Sequence, residues 1–277
     1  MSLAATSVSQ PLLSDETFAS FQQLISRLTG IKLSDAKRFM FVNRVVKRLS
    51  ELQIDSFEDY LEVVLDSNSV ERAHFINAIT TNLTYFFREP HHFDLIKEKL
   101  FPSFAKNKSP TDPIRVWSAG CSSGQEPYSL AIAAMESREE IINPVKILCT
   151  DIDSEMVART RDGRYNSEEL RGLESHQIDR WFKKTGLNTW EADDSLKKLL
   201  VCKQLNLFDD WPFKKNVDVI MCRNVLIYFD AENQKKILKK YSDFQQKGSY
   251  LIIGHSETPD GMGAHYKRIA NTVFERL

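Results

Sequence analysis

Residues 114–128 read Ile-Arg-Val-Trp-Ser-Ala-Gly-Cys-Ser-Ser-Gly-Gln-Glu-Pro-Tyr, and they are the most informative part of the chain. Ile114 to Trp117 have the β-branched and aromatic character of a buried strand. Gly120 and Gly124 then lie in a loop that leads into the apolar beginning of a helix. Strand, glycine loop and helix in this order are typical of a Rossmann-type sheet, in which the loop backbone and the helix N-terminus face a nucleotide-sized ligand.

An acidic residue ends the next predicted strand, because residues 145–151 read Val-Lys-Ile-Leu-Cys-Thr-Asp. Asp151 is therefore in a position to accept hydrogen bonds from ribose hydroxyls. The loop is not Gly-x-Gly-x-x-Gly, and Glu126 would repel a pyrophosphate. These features favour a positively charged nucleoside, S-adenosylmethionine, over NAD. Taken alone, the glycine turn is equally consistent with a tight strand-to-helix connection that binds no ligand.

The alternation of strands and helices after Ile114 predicts a parallel sheet with crossover helices, and the residues before about 100 are helical in pattern throughout. Strands are predicted at 114–118, 146–151, 199–203, 217–222 and 249–254, and residues 266–277 could add an antiparallel pair. The predicted organisation is a disordered N-terminus over 1–12, a helical domain over 13–90, a connecting helix and linker over 91–113, and an α/β domain over 114–277 with an insertion at about 165–203.

Composition limits the function classes that remain. The 277 residues carry 37 basic and 38 acidic side chains, so the net charge of -1 gives no global signature of nucleic-acid binding. The four cysteines lack zinc spacing, and the adjacent His91 and His92 have no partner at metal spacing, so no metal site is predicted. No apolar run approaches the roughly 18 residues of a membrane span, and no secretory pattern begins the chain. We expect a cytoplasmic protein without membrane insertion, and a monomer by default.

A second dense patch, Thr80-Thr-Asn-Leu-Thr-Tyr-Phe-Phe-Arg-Glu-Pro, comes just before the α/β domain. The planar guanidinium of Arg88 could hold a substrate carboxylate in a bidentate manner. Equally, the run could be a capping segment in which Phe86 and Phe87 belong to the core and Arg88 pairs with a nearby acid.

The third patch follows an apolar strand: residues 217–230 read Val-Asp-Val-Ile-Met-Cys-Arg-Asn-Val-Leu-Ile-Tyr-Phe-Asp. Ligands of open α/β sheets bind outside the carboxyl ends of the strands, so Arg223, Asn224 and Tyr228 are candidate site residues. The alternative is that Arg223 and Asn224 only satisfy loop carbonyls.

The helical region contains a basic stripe, since Lys37, Arg44 and Arg48 fall on one side of a helical wheel. Phe39, Val42, Val45, Val46 and Leu49 are expected to fill the opposite, core-facing side. Such a stripe is usually solvated surface, and an acidic partner is the alternative that bears on function.

Together these patches resemble the chemotaxis receptor methyltransferases of the CheR family over nearly the whole chain. The motifs that carry the resemblance are Thr81-Asn-Leu-Thr-Tyr-Phe-Phe-Arg-Glu, Trp117-Ser-Ala-Gly-Cys-Ser-Ser-Gly-Gln-Glu-Pro-Tyr-Ser, Thr150-Asp-Ile-Asp and Cys222-Arg-Asn-Val-Leu-Ile-Tyr-Phe-Asp. The resemblance implies a class I methyltransferase domain, Rossmann-like and dependent on S-adenosylmethionine, with a small all-helical N-terminal domain and a small β-subdomain insertion. It also implies glutamates on the cytoplasmic helical bundle of methyl-accepting chemotaxis receptors as substrate, and S-adenosylhomocysteine as product.

Site residues follow from the resemblance by motif. The cofactor-binding set would be Asn82, Thr84, Arg88, Gly120, Glu126, Asp151, Asn206, Leu207, Arg223 and Asn224. Arg88 and Tyr228 would place the reacting carboxylate, and Lys37, Arg44 and Arg48 would recognise the receptor.

Two departures from the family pattern stand out. Gln125 replaces a frequent glutamate beside Glu126, and the stretch from Thr185 to Lys198 lacks the glycine-rich motif of members that dock on a receptor's C-terminal pentapeptide. We therefore expect no such tether.

Two alternative functions remain open. The first is a methyltransferase with a different substrate, nucleic acid or small molecule, and the second is a cofactor-binding signalling scaffold without catalysis. The sequence leaves open which receptor and which glutamates are modified, and whether the pathway is motility chemotaxis or another signalling array.

Overall fold

The computed structural model describes residues 11–137, 141–212, 216–258 and 261–277. Most of the segment predicted to be disordered, residues 1–10, lies outside the described residues. The chain divides into two compact units, the first ending at Thr80 and the second running from Thr81 to Leu277. This division precedes the boundary predicted at residue 90, because the Phe87 backbone N–H donates to Ser129 Oγ at 2.9 Å within the second unit.

The first unit is helical. Its α-helices are α1 (Asp15–Thr29), α2 (Arg38–Leu52), α3 (Phe57–Leu65) and α4 (Glu71–Ile79). Two of them begin at serine N-caps, since the Ser14 and Ser56 hydroxyls accept from backbone N–H groups three residues on. Aromatic rings form the core between the helices: Phe21 lies 5.1 Å from Phe41 and 5.7 Å from Phe75, measured between ring centroids.

The buried face of α2 differs from the prediction. Phe39 was expected on the core side but is 78% exposed, whereas Phe41 is 1% exposed. With Val45 and Leu49 also buried, the core stripe is centred on Val45. At 100° per residue, Arg48 then lies about 60° and Arg44 about 100° from the centre of the buried face. The basic residues therefore flank the core instead of opposing it.

The second unit begins with helices and continues as an α/β fold. Its α-helices are α5 (His91–Leu95), α6 (Phe101–Asn107), α7 (Gln125–Glu136), α8 (Ser154–Asp162), α9 (Ser175–Trp181), α10 (Asp194–Lys197) and α11 (Ala231–Asp243). A π-helical turn (Ile96–Leu100) joins α5 to α6, and 3-10 turns occur at Asp35–Lys37, Leu226–Tyr228 and Met262–Ala264. The strands are β1 (Ile114–Ala119), β2 (Val145–Asp151), β3 (Arg164–Tyr165), β4 (Phe182–Gly186), β5 (Thr189–Ala192), β6 (Leu200–Gln204), β7 (Val219–Cys222), β8 (Tyr250–Ile253), β9 (Tyr266–Ala270) and β10 (Val273–Arg276).

Seven strands form the main sheet in the order β6-β2-β1-β7-β8-β10-β9. The first five run parallel, and β10 pairs antiparallel with both β8 and β9. This confirms the predicted parallel strands and the closing antiparallel pair. The predicted insertion forms a separate antiparallel sheet, β3-β5-β4.

Apolar layers cover both faces of the main sheet. In one layer Trp117 lies 4.8 Å from Trp211 and 5.3 Å from Tyr241. In the other, Phe86 lies 5.1 Å from Tyr165, so the segment before the sheet is anchored in this unit. Among the described residues, no helix has both the length and the apolar character needed to cross a membrane.

Candidate functional site

The loops that follow β1, β2, β6 and β7 meet at one edge of the sheet. These four strands are parallel neighbours, so their carboxyl ends lie together. The order of the strands reverses between β1 and β7, which is the topological switch point where ligands of open α/β sheets bind. The predicted Gly120, Asp151, Asn206 and Arg223 all belong to these loops or strand ends.

The loop after β1 depends on a glycine with a left-handed backbone. Gly120 has φ +93°, and a Cβ built there would lie 2.4 Å from Val225 Cγ2. Its N–H donates to the Thr150 carbonyl at 2.8 Å, which ties the loop to the end of β2. The glycine thus lets the β1 loop approach the β7 loop closely.

Backbone hydrogen bonds hold the Asp151 side chain beside the loop after β1. Its Oδ2 accepts from the Ser122 N–H at 2.8 Å and its Oδ1 from the Asp153 N–H at 3.0 Å. Burial raises the pKa of Asp151 to about 6, although these two bonds pull it down. A carboxylate offers about four acceptor positions, so it can still receive hydroxyl donors.

Asn82, from the segment before the sheet, contacts the same loop. Its Nδ2 donates to Asp153 Oδ2 at 2.8 Å, and its carbonyl accepts from Ser122 Oγ at 3.0 Å. Asn82 and the half-buried Thr84 are thereby brought to the edge that carries Asp151.

A buried ion network lies between β1 and β7. Arg223 Nη1 donates to Glu126 Oε2 at 3.0 Å, and its Nη2 lies 3.5 Å from Glu89 Oε1. The Arg223 side chain is 2% exposed. Burial raises the pKa of Glu126 in spite of Arg223 and a hydrogen bond from Ser118 Oγ. Sequence reasoning placed Arg223 and Glu126 at the site without pairing them, and it missed Glu89.

Arg88 is connected to this network through its backbone. Arg223 Nη2 donates to the Arg88 carbonyl. The Arg88 guanidinium points elsewhere: its Nη1 donates to the Leu83 carbonyl at 3.0 Å, and its Cζ lies 5.8 Å from the centroid of the Tyr85 ring. No acidic side chain within the described ranges forms an ion pair with Arg88. The alternative prediction, that Arg88 pairs with a nearby acid, therefore finds no support among these residues.

The remaining predicted residues lie on two loops. Asn206 organises the turn after β6, where its Oδ1 accepts from the Phe208 N–H at 3.1 Å, and Leu207 is 8% exposed within an apolar layer. Asn224 has φ +59° in the loop after β7, and Tyr228 is half-buried at the end of the following 3-10 turn.

Glu257 is a site residue that the sequence reasoning missed. This carboxylate is 4% exposed and accepts the backbone N–H groups of Asn224, Val225, Leu226 and Gly254 at 2.5–2.9 Å. It therefore holds the loop after β7 in its left-handed turn. The signal was present, because a polar run follows the apolar strand β8 just as Arg223 follows β7.

In the first unit, the basic stripe is largely engaged in internal contacts. Arg48 holds Glu71 in a bidentate pair, with Nε–Oε1 2.9 Å and Nη2–Oε2 2.6 Å, and the Tyr60 hydroxyl donates to the same carboxylate at 2.7 Å. Arg44 donates to the carbonyls of Ala78 and Thr80. Lys37 is half-buried in the turn before α2. The role of these three residues in recognition stays a prediction.

A potential metal-binding group occurs where none was predicted. Ligand atoms of Glu89, His91 and His92 lie within 4.8 Å of one another. Burial lowers the pKa of His92 to about 3, and the neighbouring Arg223 lowers it further. Because that guanidinium also lies 3.5 Å from Glu89, positive charge is already supplied to the carboxylate. We assign no ion to this group.

The site fits S-adenosylmethionine on the chemistry of its donor set. Asp151 keeps acceptor capacity that ribose hydroxyls would use, and the Glu126 carboxylate would pair with an ammonium group.

Comparisons with known proteins agree with this assignment. Residues 16–80 match the family described as CheR methyltransferase, all-alpha domain, and residues 82–274 match CheR methyltransferase, SAM binding domain. A chemotaxis protein methyltransferase of Escherichia coli K12 is 37% identical over 95% of this chain and 91% of that protein. A probable chemotaxis protein methyltransferase of Rhizobium etli is 35% identical over 88% of this chain and 94% of that protein. Chemotaxis protein methyltransferase 2 of Pseudomonas aeruginosa is 36% identical over 94% of this chain and 92% of that protein.

Proposed function

Because the chain belongs to the CheR methyltransferase family and binds S-adenosylmethionine as its cofactor, we propose that it methylates glutamate side chains on the cytoplasmic helices of chemotaxis receptors. The products are glutamate methyl esters and S-adenosylhomocysteine. One observation carries the proposal beyond the family: the Arg88 guanidinium has no acid partner among the described residues, while its backbone carbonyl is bound by Arg223 of the cofactor cleft. A guanidinium that has no acid partner, on a segment whose backbone borders the cofactor cleft, suits a carboxylate substrate.

The reaction needs no general base. Glutamate has an ordinary pKa of about 4.3, so the substrate carboxylate is ionised at neutral pH. The cofactor supplies an electrophilic methyl group on a positively charged sulfur. A new carbon–oxygen bond forms as the carbon–sulfur bond breaks, and the bonding pair leaves with the sulfur as a neutral thioether. The protein must align the two reactants at roughly 3–3.5 Å and keep water from the nucleophile.

Arg88 and Tyr228 are the residues proposed to place the carboxylate. Arg88 should orient it without a tight salt bridge, since a strongly bound oxygen is a poorer nucleophile. Its stacking on Tyr85 and its bond to the Leu83 carbonyl leave other N–H donors of the fork for the substrate. Tyr228, half-buried in the 3-10 turn after β7, could donate its hydroxyl to the second carboxylate oxygen.

Cofactor binding is proposed for residues of the four strand ends. Asp151 would accept from the ribose hydroxyls, and Glu126 would hold the ammonium group. Asn206 and Leu207 would flank the adenine. The remaining members of the proposed set are Asn82, Thr84, Gly120, Arg223 and Asn224.

Partners and location are part of the proposal. The substrate surface is the acidic helical bundle of methyl-accepting receptors, which Lys37, Arg44 and Arg48 of the first unit would contact. The protein is proposed to be cytoplasmic and monomeric. It is also proposed to work without a pentapeptide tether, since the stretch from Thr185 to Lys198 lacks the glycine-rich motif of tether-dependent members.

Calorimetric titration with S-adenosylmethionine and S-adenosylhomocysteine, followed by transfer of labelled methyl to receptor cytoplasmic fragments, tests the proposal. We expect binding of both ligands and label that is released by mild alkali, as from a methyl ester. Arg88→Ala should lose far more turnover than cofactor affinity. Cofactor binding with no label on any receptor fragment would contradict the proposed substrate.

A further inference from the structure

Two guanidinium groups lie over one exposed aromatic ring in the second unit. The Arg88 Cζ is 5.8 Å and the Arg171 Cζ 5.6 Å from the centroid of the Tyr85 ring. Tyr85 is 37% exposed, Leu83 two residues before it is 78% exposed, and Arg171 is exposed. We call Tyr85, Arg88 and Arg171 the arginine–tyrosine platform. Both distances are in the range of attraction between a cation and the face of a ring.

The platform is held in place by its backbone. Gly172 has φ +100°, and a Cβ built there would lie 2.1 Å from the Phe86 carbonyl oxygen. The loop that carries Arg171 is therefore pressed against the segment that carries Tyr85 and Arg88. Phe86 itself is fully buried, with its ring 5.5 Å from that of Phe182. A closely packed core thus lies beneath the two segments and fixes the spacing of their backbones.

The charge on the platform is not neutralised internally. Over the described ranges, no acidic side chain forms an ion pair with Arg88 or Arg171. Two other arginines of the second unit do form ion pairs, Arg159 with Glu169 at 2.5 Å and Arg164 with Glu191 at 3.2 Å. Two like charges that share a ring and lack acids gain from an anionic partner. The exposed Leu83 beside them adds an apolar contact, which suits an amphipathic acidic helix.

We propose that Arg171 is a specificity-determining residue that binds a second carboxylate of the substrate helix, next to the glutamate placed by Arg88. The inference rests on the proposed function. The two guanidinium carbons lie no farther apart than the sum of their distances to the Tyr85 centroid. Carboxylates one or two turns apart on a helix, at ~5.4 Å per turn, can span that separation. The platform thereby selects helices that carry a second acid in register with the reacting one.

Steady-state methylation of a receptor cytoplasmic fragment by Arg171→Glu tests this role. The KM for the fragment should rise by about tenfold or more, since a like charge then faces the second carboxylate. The kcat at saturating fragment and the Kd for S-adenosylmethionine should change by less than about twofold. Arg171→Lys should recover part of the KM, because lysine keeps the charge and loses the fork.

Arg268→Glu is the matched control, because it makes the same charge change at an exposed arginine that bonds Asn271 and the Ala270 carbonyl. Equal KM values for Arg171→Glu and Arg268→Glu would overturn the role of Arg171, as would an effect on kcat alone. A wild-type protein that binds the cofactor but methylates no receptor fragment would remove the proposed function and this inference with it. Normal wild-type activity with an unchanged Arg171→Glu removes the inference alone.

Discussion

The pKa of a buried carboxylate in this molecule depends on the groups that contact it. Asp151 and Glu71 are both substantially buried, yet their pKa values move in opposite directions. Burial raises the pKa of Asp151 to about 6, because two backbone N–H groups compensate it only partly. Burial would also raise the pKa of Glu71, but hydrogen bonds from Arg48 and Tyr60 outweigh it and leave that pKa lowered. The first carboxylate is available to a ligand, and the second serves the fold.

The raised pKa of Asp151 predicts how cofactor binding depends on pH. In the role proposed for Asp151, ribose hydroxyls would donate to the ionised carboxylate, so affinity should be full above pH 6 and fall as the pH drops through about 6. One pH unit below that value, the Kd for S-adenosylmethionine should be weaker by about tenfold. The stability of the unliganded protein should show the opposite dependence. Because the pKa of Asp151 is raised from 3.8 to about 6 in the folded protein, its contribution to stability is full below pH 3.8 and is lost as the pH rises from there through about 6.

Calorimetry from pH 5 to pH 8 measures the effect. Asp151→Asn should bind S-adenosylmethionine weakly, with an affinity that does not depend on pH. Asp179→Asn, a change at an exposed aspartate, should show the same pH dependence as the wild type. An undiminished slope in Asp151→Asn would assign the titration to another group, such as Glu126.

The pairing of Arg48 with Glu71 predicts a structural effect of a residue expected to bind the receptor. Arg48→Ala leaves a 6%-exposed carboxylate without its partner, so the free energy of unfolding should fall by about 3 kcal/mol. Urea denaturation measures this, with Lys47→Ala on the exposed side of α2 as control. Glu71→Gln added to Arg48→Ala should restore part of the loss. A stable Arg48→Ala with a raised KM for receptor would instead support recognition.

At the scale of elements, the site depends on where strands end and on what holds the loops that follow. The loop after β7 turns through a left-handed Asn224, a costly conformation for a non-glycine residue. Glu257, from the loop after β8, receives the N–H groups of that turn and so stabilises it. Two neighbouring strand ends thus form one rigid rim of the cleft.

Glu257→Gln tests this rim. The amide places an NH2 group against backbone donors, so at least one buried N–H loses its acceptor, at a cost of about 1–3 kcal/mol. We expect a lower unfolding midpoint in urea together with a weaker Kd for S-adenosylmethionine, because the loop carries Asn224 and Val225. Glu275→Gln, at a half-buried position on β10, provides the comparison. Unchanged cofactor affinity in Glu257→Gln would confine the residue to stability.

For the whole molecule, a net charge of -1 means that attraction to an acidic receptor must come from local patches. Raising the salt concentration from roughly 0.05 M to roughly 0.5 M shortens the screening length to a few ångströms. The KM for receptor fragments should therefore rise severalfold, whereas the Kd for S-adenosylmethionine, bound among buried groups, should change by less than about twofold. A KM independent of salt would argue against electrostatic recognition of the receptor.

The class of fold and the kind of cofactor could be predicted from the amino-acid sequence alone. The order of strand, glycine loop, helix and acid is local, and patterns of this kind follow from backbone sterics and hydrophobic periodicity. It also located the strand ends where Asp151 and Arg223 lie. Its assignment of the α2 core face was wrong at Phe39, because the packing partners of a helix are not written in its own periodicity.

Which charged groups contact one another depends on the tertiary structure. Arg223 with Glu126, Glu257 with the loop at Asn224, and Arg171 with Tyr85 join residues that are far apart along the chain. No local pattern encodes such pairs, since each exists only because the sheet order and the packed loops bring its two members to the same edge. The identity of the cleft could therefore be predicted from sequence, while the partners that tune each charged group within it could not.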